Sequence, residues 1–161
     1  MPNPPNLIET KPILYLEDNA DDVFSMERAF ARVGIKNTLH CTADVNEAFE
    51  FVHTKDARKK SVGAALVLLD LNLPGGSGFD LLKRIRTSPA TSTVPVIVLT
   101  GSHEESDIRR AALLGANGYL VKPDEPEALL QIVKTIHDYW LGNDQFIRQA
   151  AGIPFQEIRA R

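Results

Sequence analysis

Five polar residues stand directly after short apolar runs or close them. Glu17 and Asp18 follow Ile13-Leu14-Tyr15-Leu16, Asp70 follows Ala65–Leu69, Thr100 follows Pro95–Leu99, and Lys122 follows Tyr119-Leu120-Val121. Three carboxylates brought together repel one another, so a cation has to share their site. No His or Cys belongs to the pattern, and a set of oxygen donors suits a hard ion, for which Mg²⁺ is the natural candidate. Lys122 adds a fixed positive charge and Thr100 a hydroxyl donor. Together they describe a pocket for a small tetrahedral anion beside a metal, with Asp70 placed as nucleophile and Gly101 leaving room for an incoming group. Singly, each has an ordinary use: Asp18 and Thr100 as turn formers or helix caps, Lys122 as a solvated surface residue. Matched charges at four strand ends favour a site over independent turns. Asp21 and Asp22 are assigned instead to the first turn of a helix, where the dipole stabilises negative charge.

For these residues to meet, the apolar runs must be neighbouring strands. The pattern predicts strands at Ile13–Leu16, Thr38–Cys41, Ala65–Leu69, Pro95–Leu99 and Tyr119–Val121. Helical spacing of Val23, Met26, Phe30 and Val33 predicts a helix over Asp21–Val33, stopped by Gly34. Thr42 or Asp44 can cap a second, with Val45, Ala48, Phe49 and Val52 on its apolar face. Ser77–Thr87 and His103–Leu114 read as two more, and Pro126 sits well in the first turn of a last helix running to about Leu141. Five strand-helix units predict an α/β fold, a doubly wound parallel sheet in a single domain. In such sheets ligands bind beyond the carboxyl ends of the strands, which is where the polar residues fall.

A chain of 161 residues, 43% hydrophobic and 24% charged, has the size and composition of one globular domain. A net charge of -3 gives no electrostatic reason to expect nucleic acid or an anionic membrane. The single Cys41 excludes an intrachain disulfide and suits a reducing compartment. No apolar run approaches the roughly 20 residues that cross a bilayer, and Met1–Lys11 lacks a signal-peptide pattern. Cytoplasm is the expected location. Residues 1–10 read as a loose leader, 11–141 as the folded domain, and Lys55–Lys60 as a solvated loop. The extension 142–161 is too short for a separate output domain, and its Phe146, Ile147, Ile153, Phe155 and Ile158 suggest docking on the domain or a partner.

Four segments, ILYLEDN, VLLDLNLPGGSGF, VIVLTG and GANGYLVKP, occur in the order and spacing of a known family. From about Lys11 to Leu141 the chain resembles the receiver domains of two-component response regulators. That resemblance implies a five-stranded sheet of strand order 2-1-3-4-5. It implies that Asp70 accepts a phosphoryl group from a histidine kinase, that Asp18 binds Mg²⁺, and that the backbone carbonyl of Asn72 completes the metal set. Thr100 and Lys122 would bind the phosphoryl oxygens. Tyr119 would be an aromatic switch turning inward as Thr100 is drawn to them; its alternative is plain packing at the sheet edge. Glu17 departs from the aspartate common at its position, and it either reaches the metal through water or leans toward Lys122. The Lys122-Pro123 bond is expected to be cis. EDNADDV, the charged insertion and the DYWL helix ending resemble the stand-alone receivers paired with bacterial phytochrome-type histidine kinases.

The function so implied is a single-domain phosphorelay regulator acting through phosphorylation-dependent contacts with a downstream protein target or phosphotransfer protein. It is not an enzyme beyond assisting its own phosphorylation and dephosphorylation. Phosphatases of the haloacid dehalogenase type need a second acid two residues after the nucleophile, where this chain has Asn72, which cannot move a proton. A phosphorylation-independent interaction module would not need the full set of pocket residues. In the last helix Leu129, Ile132, Val133 and Ile136 can cover the sheet, leaving Leu130, Trp140 and Leu141 over. They predict a homodimer through the fourth helix, fifth strand and fifth helix, or a cover formed by the tail from Gly142.

Overall fold

The computed structural model describes residues 11–53 and 63–141, and the backbone of 156–158. The leader, the charged insertion Lys55–Lys60 and the apolar residues Phe146 to Phe155 of the extension lie outside the described residues. The elements are β1 (Ile13–Leu16), α1 (Ala20–Val33), β2 (Leu39–Thr42), α2 (Val45–His53), β3 (Leu66–Leu69), α3 (Gly78–Thr87), β4 (Val96–Thr100), α4 (Glu105–Leu113), β5 (Gly118–Val121), α5 (Pro126–Ile136) and β6 (Gln156–Ile158). The sheet is parallel throughout, ordered β2-β1-β3-β4-β5-β6. Its first five strands have the expected order. The sixth, from the extension, is a strand that the sequence pattern does not predict; it pairs Gly118 with Gln156 and Leu120 with Ile158 along the β5 edge.

Every second strand residue faces the same helix layer. Leu14, Leu16, Val67, Leu69, Val96 and Val98 pack with Ala48, Val52, Leu82, Ile85 and Ala111 of α2, α3 and α4. Ile13, Tyr15, Leu66, Leu68, Ile97 and Leu99 pack with Met26, Phe30, Ile132 and Ile136 of α1 and α5. Burial on both faces explains why the strands read as unbroken apolar runs.

α1 begins one residue before expectation. Asn19 is its cap, accepting the amide protons of Asp21 at 2.9 Å and Asp22 at 3.1 Å. It ends at Gly34, whose φ of 86° suits glycine, with the Gly34 amide bonded to Phe30 and Ala31 carbonyls. After Ile136 the last helix widens into a π turn, His137–Leu141. That turn carries Trp140 (1% exposed) and Leu141 (6% exposed) into the layer under α1 and α5. Both residues are therefore used inside the domain, and Leu130 is half-buried against the same cluster. Trp140 and Leu141 thus leave no surplus apolar surface to favour a homodimer, and Leu130 leaves only its half-exposed part.

Candidate functional site

Parallel register brings the strand ends level: Leu16 is opposite Leu69, Leu69 opposite Val98, and Thr100 opposite Val121. The residues just beyond continue the pairing. The Asp70 amide donates to the Leu16 carbonyl at 3.0 Å and the Lys122 amide to the Thr100 carbonyl at 2.7 Å. Side chains widely separated in sequence thus converge on one edge.

Asp70 is 6% exposed, and both of its oxygens are engaged. Oδ1 accepts the buried Thr100 hydroxyl at 2.7 Å and the Asn72 amide at 3.3 Å; Oδ2 accepts from Lys122 Nζ at 2.9 Å. Lys122 also donates to Glu17 and to Asp22 Oδ2, the latter at 2.9 Å. Glu17, 3% exposed, takes the Asp18 and Asn19 amides on Oε1, both at 3.1 Å, and the Tyr15 hydroxyl at 3.2 Å on Oε2 beside Lys122. It leans toward the lysine. Lys122 reaches these partners with all described peptide bonds trans, so the expected cis Lys122-Pro123 bond is corrected. A long flexible side chain covers the distance without that turn of the backbone.

Burial pulls the Asp70 carboxyl upward, but the Lys122 ammonium and the Thr100 hydroxyl outweigh it and hold Asp70 below the ordinary range. In Glu17 burial prevails over Lys122 and the Asn19 amide, and its carboxyl is raised. Burial also acts against the charge on Lys122, yet the hydrogen bonds to Glu17, Asp22 and Asp70 raise it above an ordinary lysine.

Glu17, exposed Asp18 and Asp70 can each bring one oxygen within 4.8 Å of the others. Three carboxylates, Glu17, Asp22 and Asp70, hold the one ammonium and Asp18 adds a fourth to the cluster, and the surplus negative charge on all-oxygen donors fits a hard divalent cation. Asn72 lies beside them, its amide on Asp70. Tyr119 is fully buried with its ring inside the domain, its hydroxyl donating to the Ser102 carbonyl at 2.9 Å.

Three contributors escape a reading of the sequence. The helix dipole is reason enough for an acid at Asp22, yet this one reaches Lys122; its place in the first turn of the helix that starts just after Asp18 is the available signal. Tyr15 is hidden in an apolar run. Gly78 is the third: a Cβ there would lie 2.2 Å from the Asp70 carbonyl oxygen, so α3 can start against the Asp70 backbone because residue 78 has no side chain. At Gly101, by contrast, an added Cβ would meet nothing within 4 Å, so the space beside Thr100 does not depend on glycine.

Residues 13–134 match the family model of the response regulator receiver domain. The chain is 36% identical over 130 residues to the probable methanogenesis regulatory protein FilR2 of Methanothrix harundinacea, covering 81% of this chain and 83% of FilR2. It is 33% identical over 139 residues to response regulator Rcp1 of Synechocystis sp., covering 86% and 91%. The crystal structure of the Mn²⁺-bound form of Rcp1 superposes with a TM-score of 0.70 at 33% identity, covering 81% of this chain and 94% of that one. The phosphorylated cyanobacterial phytochrome response regulator RcpA does so with a TM-score of 0.73 at 32% identity, covering 82% and 94%. Sequence and fold agree, and the chain belongs to the response regulator receiver domain family.

Proposed function

We propose that Asp70 accepts a phosphoryl group from the phosphohistidine of a histidine kinase, and that the protein signals through contacts that change with its phosphorylation. The observation carrying this reading is the buried Asp70 carboxylate held between the Thr100 hydroxyl and the Lys122 ammonium, with Asp18 alongside. A carboxylate is a weak nucleophile, so transfer depends on alignment and on neutralising the donor's negative charge. Asp18, Asp70 and the Asn72 carbonyl would hold Mg²⁺, and Glu17, turned toward Lys122, would supply charge beside them. A metal bound there would neutralise charge on the transferring group. Lys122 and Thr100 then bind the phosphoryl oxygens of the Asp70 acyl phosphate.

The Mn²⁺-bound form of Rcp1 and the phosphorylated form of RcpA support both parts of this reading. Their likeness also favours a phytochrome-type kinase as partner, with a downstream protein or phosphotransfer protein as receiver of the signal. Tyr119, already inside, would be the switch element, its inward state favoured further once Thr100 turns to the phosphoryl group. Such control requires two states within a few kcal/mol of each other. Among the described residues no helix is long and apolar enough to cross a membrane, and a cytoplasmic location is part of this proposal. A homodimer through α4, β5 and α5 keeps as support Leu113, 81% exposed at the end of α4, while β6 on the β5 edge favours the alternative, a cover formed by the tail; sedimentation with and without phosphorylation tests it.

The deciding experiment treats wild type and Asp70→Asn with acetyl phosphate, with and without Mg²⁺, and weighs the intact proteins. Wild type should gain one phosphoryl group only with the metal, and the variant none. Equal labelling of both proteins, or labelling that ignores chelation, would remove the reading and leave a phosphorylation-independent interaction module.

A further inference from the structure

We propose that Asp22 is a positioning residue: with Glu17 it holds the Lys122 ammonium in place before any phosphoryl group arrives. The ammonium has three protons and three carboxylate partners, Glu17, Asp22 at 2.9 Å and Asp70 at 2.9 Å. Two of these partners are anchored independently of Asp70. Glu17 is tied down by the Tyr15 hydroxyl and the amides of Asp18 and Asn19. Asp22 is placed by the first turn of α1, whose start Asn19 defines by capping the Asp21 and Asp22 amides. Lys122 comes from the opposite side, off the end of β5, so the two carboxylates form a cradle across the α1–β5 gap.

The cradle matters because of where charge moves. In transfer from acetyl phosphate, a bond forms between an Asp70 oxygen and phosphorus, and the bond from phosphorus to the acetate oxygen breaks. Acetate leaves with the electron pair, and no proton has to move. Asp70 loses its negative charge in the acyl phosphate, while Glu17 and Asp22 keep theirs. The ammonium therefore stays in the cradle and turns one N–H hydrogen bond from the Asp70 oxygen to the phosphoryl oxygens. A cavity of about 320 Å³ between α1 and α5, lined by Tyr15, Asp22, Met26, Leu99, Lys122 and Leu129 among others, lies beside the cradle. Without Asp22, the flexible lysine has room to turn away from Asp70 into that space.

This inference rests on the reading of Asp70 as phosphoacceptor, and the experiment separates the two. Phosphorylation by acetyl phosphate is followed by intact mass across a range of Mg²⁺ concentrations for wild type, Asp22→Ala, Asp22→Glu, Lys122→Ala and the Asp22→Ala/Lys122→Ala pair. Asp22→Ala should lower the rate at saturating Mg²⁺ about tenfold, the order expected for losing one charge-assisted hydrogen bond to a positioned cation. Half-saturating Mg²⁺ should move by less than about threefold, Asp22→Glu should restore most of the rate, and Asp22→Ala should be silent in the Lys122→Ala background. An equal loss in both backgrounds, or a shifted Mg²⁺ dependence with full rate at saturation, overturns the proposal. Spectra of the ¹⁵N-labelled Lys122 ammonium give a readout free of phosphorylation. A slowly exchanging signal should be present in wild type and Asp70→Asn and lost in Asp22→Ala; its survival in Asp22→Ala counts against the cradle even if wild type never takes a phosphoryl group.

Discussion

Thr100 donates its hydroxyl proton to Oδ1 of Asp70 across 2.7 Å, joining the ends of the adjacent strands β4 and β3. Thr100 is fully buried, so that hydroxyl has no water to turn to. Thr100→Val keeps the shape and removes the donor. It should cost about 1–2 kcal/mol of stability and let the Asp70 carboxyl rise toward its ordinary range, because one of the groups holding it down is gone. Urea unfolding and a ¹³C titration of Asp70 measure both; an unmoved Asp70 titration would deny the hydrogen bond its role.

Replacing Lys122 by Ala should reverse the pH dependence of stability. In wild type, depressed Asp70 contributes stability above the ordinary carboxyl value near about 4 and loses it as pH falls through its folded value. Raised Lys122 contributes below about 10 and loses its part as pH rises beyond that. Glu17, raised by burial, works against Asp70 and flattens the profile. Without the ammonium, burial and mutual repulsion raise the remaining carboxyls, and the folded state binds more protons than the unfolded one. Metal-free Lys122→Ala should be more stable near about pH 5 than about pH 8, the gap closing when Mg²⁺ is added. Equal urea midpoints at the two values would contradict this.

Mg²⁺ should raise the melting temperature of wild type with a logarithmic dependence on its concentration, as any ligand of the folded state does. Asp18→Asn, which removes the exposed carboxylate of the set, should abolish most of that rise while leaving the metal-free melting temperature within a few degrees. A thermal-shift titration checks it. A rise that persists in Asp18→Asn would place the ion elsewhere.

Gly78→Ala should destabilise by about 1–3 kcal/mol, the usual cost of overpacking, because the new methyl meets the Asp70 carbonyl oxygen at 2.2 Å and Leu69 Cδ1 at 2.9 Å. The backbone that must yield carries Asp70, so phosphorylation should slow along with the loss of stability. Gly101→Ala, with nothing within 4 Å of the added carbon, is the control and should change stability by no more than about 0.5 kcal/mol.

Much of this protein is written locally. Apolar runs with turn residues behind them locate the first five strands, and helical spacing locates the helices, because period and capping depend on residues a few positions apart. The same local logic places Asp18, Asp70, Thr100 and Lys122 at strand ends, where a parallel sheet must gather them. Partnership is another matter. Asp22 has a sufficient local explanation in the helix dipole, and Tyr15 in an apolar run, yet the first reaches Lys122 and the second Glu17. Trp140 and Leu141 look spare on a helix and are buried by a π turn. The β6 strand finds its edge on β5, and Lys122 reaches its carboxylates through a trans bond. Tyr15 and Glu17 are only two positions apart, but the other relationships turn on the distance between groups far apart in the chain, Glu17 and Lys122 being separated by 105 positions. Sheet register and the packing of α1 against α5 set that distance, and no pattern within a few residues encodes it.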